Sequence, residues 1–474
     1  MRKTILLIPA AAMLAIMAAR GAAAEKQPSL PKELPPYGPL KPLTAKDIRV
    51  TKLDNGLQVW LVPEQGFPKA AFALSVRGGL AADPKDRPGM ADLLAEAVTE
   101  GTKTRTAKQL ASEIQAAGGD LGANATSDSI LLDVSVLAES ATKAIALLAD
   151  VAQNAMFPDK EVEIAKKNLS SSLEAEEAQP SFLAKRALYR ALFPGHPYGV
   201  VSPTKESLAG TAAADLRREY TRRFRPDQAL LVAVGDFDES QALLAIRSAF
   251  ASWRAPSQPA VESASQPGNS HTAEVLYVPR PNSVQTTLYL GALAPSPVAP
   301  DYYAVQVANA IYGGMFGSRL IDNIREDKGY TYSPGANVSS YRETGVLVTR
   351  ADVRNVVTGA SFNEIGYELN RMASTAPTDA ELEHAKRYMV GTLALSLQSR
   401  GAVARSLARL WTNSLPAEEL WKQGEKLEHV SIPDVESAGH KYFPASRMTV
   451  VAVGDEKVIK ESLSPFGLEF KKAQ

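Results

Sequence analysis

The 474-residue sequence has no cysteine and only five histidines, at 196, 271, 384, 429 and 440. Without a thiol there can be no disulfide, thiolate metal site, iron–sulfur cluster or cysteine nucleophile. No two histidines stand at i,i+4, the spacing that sets a pair on one helix face. His384 has Glu381 and Glu383 beside it, in a run of charge that reads as a solvated helix face. His429 and His440 have Pro433 between them and share no helical turn. Asp92 and Glu96 do stand one turn apart on an expected helix. Two carboxylates so placed bind a metal only weakly unless other ligands join them, and otherwise simply line a cleft.

The elements that carry these groups occur twice. Phe224-Arg225-Pro226 leads into an apolar run ending Gly235-Asp236, and Tyr442-Phe443-Pro444 leads into another ending Gly454-Asp455. Each reads as a buried strand closed by a turn. Independently, the Asp159-Lys160-Glu161 helix start matches Asp379-Ala380-Glu381 at the same separation of about 220 residues, each Asp following a Pro. Two pairs agreeing on one period predict two homologous domains. Within the first, an Asn55-Gly56 turn predicts a hairpin between Val50 and 59–62. Strands are expected at 72–76 and 130–137, and helices at 90–100, 105–117 and 140–155. The fold class that follows is α+β: two domains, each a mainly antiparallel sheet packed with helices.

Composition narrows the function. Lys and Arg together number 52, as do Asp and Glu, which gives no general pull toward nucleic acid or an anionic membrane. At the start, Arg2-Lys3, an apolar run and Gly21-Ala22-Ala23-Ala24 have the form of a signal peptide over 1–24, cleaved before Glu25. Export to the periplasm is expected, with no membrane span left after cleavage. Residues 25–45 carry six prolines and read as an extended tether. The first domain then spans 46–254, a Pro- and Ser-rich linker 255–272, and the second domain 273–474.

Taken in order, several segments resemble the M16 (pitrilysin, or inverzincin) metallopeptidases, and specifically their short-chain branch that works as two-chain assemblies. They are Leu53-Asp54-Asn55-Gly56-Leu57, the helix from Gly89 to Thr102, His196-Pro197-Tyr198-Gly199, Gly313-Gly314-Met315-Phe316-Gly317-Ser318-Arg319-Leu320, and the run from Ile324 to Ser333. The resemblance implies a His-x-x-Glu-His helix, whose two imidazoles hold zinc and whose glutamate activates water, with a further Glu ligand about 77 residues on. In this sequence the matching positions are Asp92, Ala95 and Glu96, and Ser172 within one residue. Glu174, Glu176 and Glu177 lie close but out of register. The whole zinc site is therefore expected to be degenerate, with no cofactor in this chain.

The resemblance also implies an Arg and a Tyr, seven residues apart, that approach the scissile peptide from the side opposite the metal. Arg325 and Tyr332 match, with Tyr330 a competing donor. A tyrosine hydroxyl can donate to the oxygen that becomes anionic during attack, and a guanidinium can grip substrate backbone. Residues 318–326 are expected to form a helix and 330–333 to begin a strand. Gly313 and Gly314 read equally as a substrate-contacting loop or as a tight turn leading into that helix. The expectation for function is the zinc-free subunit of an exported heterodimeric M16 zinc endopeptidase that acts on peptides, its partner carrying the intact zinc motif. The alternatives are a non-enzymic pseudo-peptidase that binds peptides or acts as a scaffold, and metal hydrolysis by this chain alone through Asp92 and Glu96.

Overall fold

The computed structural model describes residues 38, 44, 46–268 and 273–473. The export run over 1–24, nearly all of the 25–45 tether, and His271 lie outside the described residues.

The chain first forms β1 (Arg49–Lys52), β2 (Gln58–Pro63), β3 (Lys69–Arg77), α1 (Met90–Ala97), α2 (Ala107–Ala116), β4 (Asp120–Ala125) and β5 (Ser129–Leu137). Next come α3 (Ala141–Asn154), α4 (Asp159–Glu177), α5 (Pro180–Leu192), α6 (Ala213–Arg223), β6 (Ala229–Gly235) and α7 (Glu239–Ala249). β1 and β2 make the expected hairpin, with Lys52 opposite Gln58 and Arg49 opposite Leu61. Thr106 starts α2 with a capping box, its hydroxyl accepting from the Gln109 amide while Gln109 bonds back to the cap. All seven residues of β6 are buried, as an unbroken apolar run in a central strand requires. Residues 255–268 then run on without helix or strand.

The second half repeats the pattern. It contains β7 (Val275–Pro279), β8 (Gln285–Ala294), α8 (Tyr302–Asn309), β9 (Gly335–Ser340), β10 (Gly345–Arg354), α9 (Thr358–Ser374) and α10 (Asp379–Ser396). It closes with α11 (Arg400–Thr412), α12 (Glu419–His429), α13 (Ile432–Tyr442), β11 (Thr449–Gly454), α14 (Glu456–Leu463) and β12 (Phe470–Lys472). Sheet orders are β1-β2-β6-β3-β5-β4 and β12-β7-β11-β8-β10-β9, so five strands match place for place. Only the sixth differs: β1 runs antiparallel to β2, whereas β12 runs parallel to β7. Most other pairings are antiparallel, the exceptions being β2 with β6 and β7 with β11.

The halves exchange helices. From the second half, α11 lays Val403, Leu407 and Trp411 against Trp60, Val232 and Val234 of the first sheet. In return α5 from the first half lays Ala184, Leu188 and Leu192 against Leu276, Val451 and Val453 of the second. Each fully buried large apolar side chain contributes roughly 1.5–3 kcal/mol, so each sheet depends on the opposite half to cover one face. Among the described residues no helix is long and apolar enough to cross a membrane.

One region departs from the sequence expectation. Residues 318–326 are not a regular α-helix: a single turn, Arg319–Ile321, passes into a π-wound segment, Asp322–Asp327. A second π-wound stretch, Ala310–Gly314, ends α8. Residues 330–333 form no strand, and β9 begins only at Gly335. The π turn ends with the Gly329 amide on the Arg325 carbonyl (3.1 Å) and the Tyr330 amide on the Ile324 carbonyl (2.9 Å). Gly329 sits at φ +61°, so the chain reverses there rather than running straight into a strand. Thr331 then donates its hydroxyl to the Asp352 carbonyl at 2.7 Å, pinning the segment to β10.

Candidate functional site

The degenerate corner is built on α1 and α4. Helix α1 turns Met90, Ala91, Leu93, Leu94, Ala95 and Ala97 inward, which leaves Asp92 and Glu96 on its remaining face. Glu96 is exposed and accepts from the Asn168 amide of α4 at 3.2 Å. Asp92 is half-buried. Burial first, then the nearby charges of Asp83 and Glu176, push its pKa up to about 7. Glu176 of α4, one turn beyond the counted position, is thus near enough for its charge to act on Asp92. Ser172 is exposed.

Behind this corner lies a charge network with no counterpart in the sequence reading. Arg223 of α6 is wholly buried, 0% exposed, and donates to Asp83 at 2.8 Å and to the carbonyls of Gly78 and Gly79 at 2.8 and 3.1 Å. Asp83 also accepts from the amides of Gly89 and Ala91 at 2.9 and 3.0 Å, which satisfies the free N–H groups at the start of α1. Burial raises the Asp83 pKa, while Arg223 pulls against it. The helix that would carry a zinc motif is therefore held firmly in place without one.

The donor set does not suit zinc. It offers two carboxylates and a distant hydroxyl, with no imidazole; zinc sites of this kind need nitrogen ligands closing a tetrahedron. Among the described residues no three His, Cys, Asp or Glu side chains are grouped to hold a metal. Ala95 is buried and carries no base. The residues present do not fit a zinc ion, and the reading of metal hydrolysis through Asp92 and Glu96 has no third ligand to complete it.

The histidines are placed elsewhere. His196 is tied up by its neighbours, its Nδ1 accepting from the Tyr198 amide at 3.2 Å and its Nε2 lying 2.9 Å from the Ser265 carbonyl. His384, His429 and His440 are exposed on α10, α12 and α13.

The second half brings Arg325 and Tyr332 together. The guanidinium lies 4.6 Å from the Tyr332 ring centre and 5.0 Å from that of Phe316, and its Nε is 3.0 Å from Glu326. Two rings therefore brace one cation. Tyr332 is 81% exposed, and its hydroxyl has no hydrogen-bond partner among the described residues. Phe316 is 64% exposed, a surface aromatic between Gly314 and Gly317 whose stacking no spacing argument reveals. Tyr330 is half-buried and takes no part in the stack.

Gly313 is buried. A side chain there would meet Ala336 and Leu320 at 3.0–3.1 Å, so its place is close packing of the π-wound segment on β9. A side chain at Gly314 would meet the Asn309 amide at 2.7 Å. The open substrate-contacting loop is not the arrangement seen at Gly313. Arg319 of the same motif is also structural: buried, it grips Glu381 through Nε and Nη2 at 2.6 and 3.0 Å. That fork holds the Glu381 carboxyl down at about 2.

Comparison with known proteins gives the family. The model described as "Insulinase (Peptidase family M16)" matches residues 59–201, and that described as "Peptidase M16 inactive domain" matches 212–389, together more than half of the chain. The chain belongs to the M16 peptidase family. A Rickettsia bellii protein named "Uncharacterized zinc protease" is 23% identical over 416 residues, covering 86% of this M16 chain and 97% of its own. The Bacillus subtilis "Uncharacterized zinc protease YmxG" is 25% identical over 351 residues, covering 73% and 83%. Among solved structures, a Pseudomonas fluorescens "peptidase M16 inactive domain" superposes with a TM-score of 0.81 at 23% identity, covering 86% of this chain and 98% of that one. A Helicobacter pylori protease also gives 0.81, at 17% identity, covering 86% and 100%. These two structures share the fold. Within the family this chain is a member without the zinc-binding residues.

Proposed function

We propose that this M16 chain is the zinc-free subunit of a two-chain peptidase, in which a partner chain carries the metal and its water-activating glutamate. One observation carries the reading. The metal positions are lost together at Asp92, Ala95, Glu96 and Ser172, while Arg325 stays braced between Phe316 and Tyr332 beside an unoccupied tyrosine hydroxyl. Apart from the Nε contact with Glu326, its N–H groups have no partner among the described residues and can serve a substrate carbonyl. Tyr332 is placed to donate to the oxygen of a peptide carbonyl as it gains charge; removing one such donor typically costs about 3 kcal/mol of transition-state stabilisation. We further place the chain in the periplasm, on the strength of the basic start and apolar run over 1–24.

The test is reconstitution with an M16 chain from the same organism that has an intact His-x-x-Glu-His motif. This chain alone should be inactive and the pair should cleave peptides, with Arg325→Ala and Tyr332→Phe each lowering the rate of the pair about 100-fold or more. An unchanged rate in both variants would favour the pseudo-peptidase reading, a peptide-binding or scaffolding protein. Full activity from this chain by itself would end both readings.

A further inference from the structure

Where the two halves meet, a cavity of about 470 Å³ opens between α11, the β4–β5 turn and the end of β9. Its wall is mainly apolar with polar groups set into it: Arg405, Ser406 and Arg409 come from α11, Asp128 from the turn, and Ser340 and Tyr341 from the far side. Arg405 and Arg409 stand one helical turn apart, like charges that repel unless something neutralises them. The acids nearby are already committed. Asp133 pairs with Arg405 at 3.1 Å, and Glu343 lies 3.4 Å from the Arg342 guanidinium. Asp128 accepts from the Tyr198 hydroxyl at 2.7 Å and the Arg342 amide at 3.0 Å. The Arg409 guanidinium has no hydrogen-bond or ion-pair partner among the described residues. Arg77, two residues along β3 from the cavity wall at Ser75, stacks on Trp411 at 4.5 Å and has no carboxylate either.

The duplication supplies a control. On α5, Lys185 and Tyr189 occupy the places that Arg405 and Arg409 hold on α11. Around Tyr189 the space is closed by rings: it packs on Phe193 and Tyr341 at 6.0 and 6.2 Å, and Tyr198 packs on Tyr341 at 4.8 Å. One cleft of the repeated framework is filled with aromatics; the other is open and carries a guanidinium with no counter-charge.

We propose that this cavity is an anionic subsite for bound peptides, taking a carboxylate, whether an acidic side chain or a chain terminus, on Arg409 with Arg405 beside it. The guanidinium fork matches a carboxylate in two parallel hydrogen bonds, and the Ser406 hydroxyl can meet a remaining lone pair. Arg405 and Arg409 are both exposed, so added salt should weaken the binding. The proposal rests on the peptide-handling reading above and extends it to substrate charge.

The experiment uses the full chain without a partner, titrated by fluorescence anisotropy against a short labelled peptide with a central Asp-Glu pair and against its Asn-Gln counterpart, each with a free or an amidated C-terminus. A carboxylate-bearing peptide should bind about tenfold tighter than its neutral counterpart. Arg409→Gln should abolish that preference. So should Ser406→Glu, which places a carboxylate beside Arg409 without removing it, so that a loss cannot be put down to a missing arginine. No preference in the natural chain, or a preference surviving in either variant, overturns the proposal. Displacement by inorganic phosphate with no peptide preference also overturns it, in favour of a small-anion site. Because the readout is binding to this chain alone, failure here leaves the Arg325–Tyr332 reading standing, and failure of activity in the pair leaves this one standing.

Discussion

In the first half, Asp92 is half-buried among other carboxylates, and the helix that carries it is braced from behind by Asp83 and Arg223. In the second half, Arg325 lies near the surface, stacked between two exposed rings. Five of the six strands match in order between the halves, while the segment that carries Arg325 is π-wound where the first half has the regular helices α1 and α2. The halves also differ in where each keeps its charge. The first half has internal charge that serves the fold and a corner that no longer suits a metal. The second keeps a cation and a phenol facing outward, where a ligand can reach them. A shared scaffold held by buried ion pairs in both copies can thus carry a carboxylate corner in one and an exposed cation–phenol pair in the other.

The strongest way to break this comparison is at Arg223. Replacing it with Met strips buried Asp83 of its partner and should cost about 3–5 kcal/mol in denaturant unfolding. A loss below about 1 kcal/mol would mean that the network does not hold the first half together. Arg319→Ala should cost somewhat less, about 2–3 kcal/mol, because its partner Glu381 is partly solvated. Its pH dependence has a definite sign. Glu381 is held at about 2 against an ordinary 4.5, so the pairing contributes fully above pH 4.5 and is lost as pH falls toward 2. The gap between the natural chain and Arg319→Ala should close over that window.

Asp92→Asn should act in the opposite direction and stabilise the chain. The Asp92 carboxyl rises from 3.8 to about 7 on folding, so the folded state binds its proton more tightly and stability falls as pH rises through that range. The variant should gain nothing below about pH 4 and a growing amount of stability as pH rises from there to about 7, as read from melting curves. A gain that did not vary with pH would remove the carboxylate cluster from the account. The smallest effect is expected at Phe316. Phe316→Ala should change stability by no more than about 1 kcal/mol. A double-mutant cycle with Tyr332→Ala should still show coupling between the two rings through Arg325, and additivity would sink the stack.

Much of the framework was legible from residues alone. The Gly-Asp strand ends and the Pro-Asp helix starts announced the repeat, and Asn55-Gly56 announced the first hairpin, because these signals act over a few residues. The π-wound turn before Arg325 was not legible. Its composition is helical, and the reversal at Gly329 that ends it goes with the docking of Thr331 on β10, a contact between distant residues. The influence of Glu176 on Asp92 was not legible either, because a count along the chain carries no information about which charges of α4 come near α1. Phe316 carried one faint signal, an aromatic held between glycines, and nothing in its spacing tied it to Arg325.

Residue order thus suffices for the two-fold repeat, for the α+β class and for the loss of both imidazoles and the base, since each of these is written in short-range pattern or plain residue type. Folding in space adds the exchange of α5 and α11 between the sheets, the proton affinity of Asp92, and the open, arginine-lined cleft between the halves. These depend on burial and on charges brought together from positions hundreds of residues apart, and no local pattern encodes such neighbours.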